Sequence, residues 1–110
     1  MQMGPADIER AVRALGEEWG AEVTSVVGVQ ELVSSNYPQI AAVGMGATES
    51  RAPRIVELAW RSPCADNHSS PVVIIGKGVT FDTGGLNMKS AAGMRQMKKD
   101  MGNETKRLFM

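Results

Sequence analysis

Two lysines and two aspartates are spaced through VVIIGKGVTFDTGGLNMKSAAGMRQMKKDMG, residues 72–102: Lys77, Asp82, Lys89 and Asp100. Carboxylate oxygens suit hard divalent cations. A lysine ammonium stabilises negative charge that develops during a reaction. Lys77 and Asp82 follow directly on the apolar run VVIIG, and in open α/β sheets ligands bind beyond the carboxyl ends of strands. Glycines at 76, 78, 84 and 85 allow sharp turns and close approach of backbone to a ligand. Asp100 lies three residues after Met97 and six after Met94. That is the border of an apolar helical stripe, from which it can reach the same crevice.

Each of these residues also has an ordinary reading. A lysine closing a strand is commonly a solvated charge, and an aspartate in a Gly-rich loop is commonly a turn former. Lys98 and Lys99 read as the exposed face of the last helix, and His68, the sole histidine, as an exposed residue of a polar loop. Cys64 has no thiolate-activating neighbours in sequence and reads as a partly buried structural thiol. The methionines at 94, 97 and 101 read as core. Gly76-Lys77-Gly78 has some likeness to a phosphate-binding loop, but the spacing G-x-x-x-x-G-K-[ST] is absent, so a nucleotide-binding module is the weaker alternative.

Placing the four charged residues requires a strand and a helix. VVIIG, residues 72–76, has the continuous apolar character of a central strand covered on both faces. Residues 90–101 turn helical in pattern. Upstream, Pro5 suits a first helical turn and Asp7 complements the helix dipole. Ile8, Ala11, Val12, Leu15 and Trp19 then recur at helical spacing, with Gly16 and Gly20 weakening the end. EVTSVVGV, residues 22–29, predicts a strand. A helical turn over 30–34 follows, closed by Asn36-Tyr37-Pro38. IAAVGMG (40–46) and RIVELAW (54–60) predict two more strands, and SPCADNHSS (62–70) a polar loop. The resulting fold class is α/β, a mixed sheet flanked by helices.

Composition bounds what such a chain can be. At 110 residues it makes at most one domain with one modest core. With 43% hydrophobic and 22% charged residues it is globular in character, not a disordered tail. Twelve basic and twelve acidic residues cancel, and no Lys/Arg cluster provides a nucleic-acid footprint. One cysteine excludes an internal disulfide and a zinc-finger pattern, and a reducing compartment fits. The opening MQMGPADIERAVRAL lacks the apolar core of a signal peptide, and no apolar run is long enough to span a bilayer. The expectation is a soluble, cytoplasmic protein with no membrane partner.

Taken together, the spacing is more specific than any single residue. GKGVTFDTGGLNMKSAAGMRQMKKDMG resembles the signature region of the leucyl (cytosol) aminopeptidase family of two-metal metallopeptidases. MGPADIERAVRAL, NYPQIAAVGMGA and RAPRIVELAW resemble the opening of that family's catalytic domain, so the resemblance runs over residues 3–102. It implies that Lys77, Asp82 and Asp100 are metal ligands, with Asp82 bridging two divalent ions, Mn²⁺ or Zn²⁺. It implies that Lys89 is catalytic, polarising the scissile carbonyl and stabilising the oxyanion. The implied substrates are peptides, from which amino-terminal, preferentially leucine-like residues are released, and the implied assembly is a homohexamer. Elementary chemistry is compatible with this division. A free lysine has a pKa of about 10.4, so keeping one neutral at pH 7 costs about 4–5 kcal/mol, which a metal–nitrogen bond must offset. A lysine that stabilises an oxyanion works only while cationic.

The chain also departs from the family pattern. The family's second metal-binding segment, Asn-Thr-Asp-Ala-Glu-Gly-Arg, supplies two further carboxylate ligands and a catalytic arginine. Nothing in these 110 residues matches it, and Glu49-Ser50-Arg51 is not a substitute. Residues 103–110, NETKRLFM, leave the family's Gly/Ala-rich continuation. The expectation is therefore the amino-terminal part of a metallo-aminopeptidase catalytic domain over 1–102, reading as truncated, with a divergent tail over 103–110. By itself it would bind its metals incompletely, be poorly stable and lack activity. The alternative from another class is a non-catalytic remnant that binds metal or a partner.

Overall fold

The computed structural model describes residues 3–65, 70–80 and 89–96. The chain forms two compact units, Met1–Ser70 and Pro71–Met110.

The first unit begins with α1, Pro5–Trp19. Pro5 occupies the first turn, where its missing N–H costs nothing, and the Asp7 carboxylate accepts the Gly4 N–H at 2.7 Å. Gly20 ends the helix in the left-handed region at φ 64°, and the Ala21 N–H donates back to the Gly16 carbonyl at 2.8 Å. The inward line of α1 is Ile8, Val12, Leu15 and Gly16, of which Val12 and Gly16 are buried. Ala11 and Trp19 are exposed, contrary to the sequence expectation, which drew the apolar stripe too wide. Gly16 lies within the helix, which runs on to Trp19. It is the point where α1 meets the sheet, and a Cβ there would overlap the Val23 side chain.

The sheet of the described residues is an antiparallel pair, β1 (Glu22–Val27) with β2 (Arg54–Ala59). Its register runs from Glu22 opposite Ala59 to Val27 opposite Arg54. The two-residue side-chain period puts Val23, Ser25, Val27, Arg54, Val56 and Leu58 on one face. Helix α1 packs against both strands. The Gly28 N–H, donating to the Pro53 carbonyl at 2.9 Å, carries the pairing one step further before the chain turns at φ 98°.

Helix α2, Val29–Ser34, and helix α3, Pro38–Gly44, pack on each other. Between them Asn36 takes a left-handed φ of 66°, which asparagine tolerates, and the Tyr37 N–H donates to the Leu32 carbonyl at 2.7 Å. Leu32 is 0% exposed and Ala41 2%, and with Val12 they form the core. Residues 40–46 were expected as a strand, yet 38–44 are helical. Pro38 presets the first turn, the adjacent alanines favour helix, and one buried face through Ala41 suffices, leaving Val43 exposed. A single 3₁₀ turn, Glu49–Arg51, leads into β2. The expected strands at β1 and β2, and the helical turn at α2, are present.

In the second unit, residues 71–79 have no regular secondary structure. Val72, Val73, Ile74 and Ile75 are 77–88% exposed, where the sequence predicts a covered central strand. Apolar content alone does not make a strand. A ladder needs a hydrogen-bonded neighbour, and no described residue of this unit supplies one. Helix α4, Ala91–Arg95, covers the start of the expected 90–101 helix. Met94 is half-buried, and Met97 and Met101 lie outside the described residues. Among the described residues, no helix is long and apolar enough to cross a membrane.

Candidate active site

Of the four residues singled out from sequence, Lys77 and Lys89 are described, and Asp82 and Asp100 lie outside the described residues. Lys77 is exposed and follows the exposed apolar run directly. Lys89 is half-buried and immediately precedes Ser90, the N-cap of α4. The Ser90 side chain accepts the Gly93 N–H at 3.2 Å, which fixes the first turn and with it the backbone from which Lys89 projects. Gly93 is not required there by packing. A Cβ there would sit 3.4 Å from the Ser90 hydroxyl and 3.9 Å from the Lys89 Cβ. Both lysines therefore belong to the same compact unit, one on irregular chain and the other anchored by a helix cap.

Among the described residues no group of three His, Cys, Asp or Glu side chains comes together as a metal cage. The carboxylates expected as metal ligands are Asp82 and Asp100, and with the Lys77 nitrogen they would make a donor set that suits divalent cations. His68, Lys98 and Lys99 also lie outside the described residues. Cys64 is exposed, not partly buried as expected, because it sits in a turn after β2 where its N–H donates to the Ser62 hydroxyl at 3.2 Å.

A second polar cluster, in the first unit, escaped the sequence reading. One Glu9 carboxylate oxygen accepts from Arg13 at 2.8 and 2.9 Å and from the Ser25 hydroxyl at 2.8 Å, and the other accepts from Arg54 at 2.6 Å. Glu9 and Arg54 are each 12% exposed in their side chains. The Ser25 hydrogen bond, with Arg13 and Arg54, holds the Glu9 pKa down at about 2, against the opposing effect of burial. Held ionised by two cations and a hydroxyl, this carboxylate is a poor proton acceptor near neutral pH. Its chemistry is structural, tying α1 to β1 and β2. The Glu9–Arg13 spacing of four was a visible helix-surface pair. Arg54 gave no such signal, because only the strand register places it on the inward face.

The model of the cytosol aminopeptidase family, catalytic domain, matches residues 1–104. Probable cytosol aminopeptidases of Mycobacterium ulcerans (strain Agy99) and Mycobacterium marinum (strain ATCC BAA-535 / M) are each 44% identical to this chain over 101 residues. Each of those matches covers 89% of this chain and 19% of the relative. A probable cytosol aminopeptidase of Rhodococcus jostii (strain RHA1) is 41% identical over 99 residues, covering 89% of this chain and 18% of the relative. The chain thus spans about a fifth of the length of the curated relatives it matches. No solved structure matches it significantly.

Proposed function

We propose a function from one premise: the chain belongs to the cytosol aminopeptidase family. The proposal is that these residues supply part of the active site of a cytoplasmic, homohexameric metallo-aminopeptidase that releases amino-terminal, leucine-like residues from peptides. The observation that carries it is the family match over residues 1–104, a span that contains Lys77, Asp82, Lys89 and Asp100.

In this reading Asp82, Asp100 and Lys77 would hold a pair of divalent ions, Mn²⁺ or Zn²⁺, through carboxylate oxygens and a lysine nitrogen. When bound, such a metal pair activates water and orients the substrate carbonyl. Lys89 keeps its proton and donates a hydrogen bond to the oxygen that gains negative charge as the carbonyl is attacked. Lys89 immediately precedes Ser90, the N-cap of α4, and its flexible four-carbon stem would carry the ammonium to that oxygen. These 110 residues carry Lys77, Asp82 and Asp100 without the two further carboxylates and the arginine of the family pattern. The polypeptide alone would therefore hold metal weakly. The second reading is a segment that binds metal or a partner without catalysis.

A chimera separates the two readings. Residues 1–104 replace the corresponding segment of the Mycobacterium ulcerans relative, which restores the remainder of a full-length enzyme. In that chimera Lys89→Ala should lower kcat by about 10²–10³ with metal content unchanged, the usual loss for one oxyanion donor. Asp82→Ala should instead empty the site of metal. Equal metal loss in both variants would overturn the division into ligand and catalyst.

A further inference from the structure

We draw no further inference here: the strongest candidate, the exposed apolar run of residues 72–75 in the unit that starts at Pro71, is an unpartnered face, and nothing in the structure shows what covers it.

Discussion

Glu9 shows how much of a fold can rest on one carboxylate that no motif marks. Its pKa falls from the ordinary 4.5 to about 2 through Ser25, Arg13 and Arg54. Between those two values the unfolded chain binds a proton that the folded chain does not. The stabilisation is therefore complete above about pH 5 and is lost as pH falls toward 2, amounting to on the order of 2–3 kcal/mol. Glu9→Gln should remove most of it at pH 7 and flatten the decline in stability between pH 5 and pH 2. Urea denaturation followed by far-UV circular dichroism across that range measures both effects. An unchanged pH slope in the variant would show that another group carries the acid sensitivity. At this scale the sequence was legible where a residue's role depends on its neighbours along the chain. Asp7, in the first turn of the helix that Pro5 opens, is such a case, whereas the Glu9–Arg13 pair was visible in the spacing and not read. It was illegible where the role depends on pairing across the sheet, as for Ser25 and Arg54.

Among the elements, the contact of α1 with β1 is close and easily tested. Gly16 faces Val23 so closely that even a methyl group would overlap it, and Val23 is held in a paired strand. Gly16→Ala should cost about 1–3 kcal/mol, as overpacking usually does. Val23→Ala should then relieve part of that cost, so the double variant is less destabilised than the sum of the single ones. Strict additivity in denaturation experiments would mean that the helix moves freely on the sheet. The limits of sequence reading at this scale follow from the same physics. α1, β1, α2 and β2 were legible because periodicity, proline and β-branched residues agreed. Residues 38–44 were not, because a short apolar stretch fits either a strand or a helix, and the preceding proline decided between them. Residues 72–76 read as a strand from their apolar run, but pairing is a property of two segments and cannot be read from one.

For the whole molecule, the α/β class was legible in the sequence, and so was the family, through the residues from Gly76 to Gly102 together with the opening segments. The arrangement of the four site residues was not, since spacing along a chain carries no distances between side chains. The consecutive exposure of Val72, Val73, Ile74 and Ile75 has a direct consequence for the 110-residue polypeptide. Such an exposed apolar run invites association between copies, so the polypeptide should aggregate in a concentration-dependent way. Ile74→Lys should raise its soluble fraction. Light scattering of the two proteins at equal concentration checks this, and equal aggregation would place the association elsewhere. The most direct measurement of the functional account is leucine amide hydrolysis by the chimera, assayed beside the isolated 110-residue polypeptide, with Mn²⁺ and after exhaustive chelation. The account predicts turnover by the chimera that chelation abolishes and Mn²⁺ restores, and none by the isolated polypeptide. A folded chimera that binds metal yet hydrolyses nothing, or one that remains fully active after chelation, would contradict it.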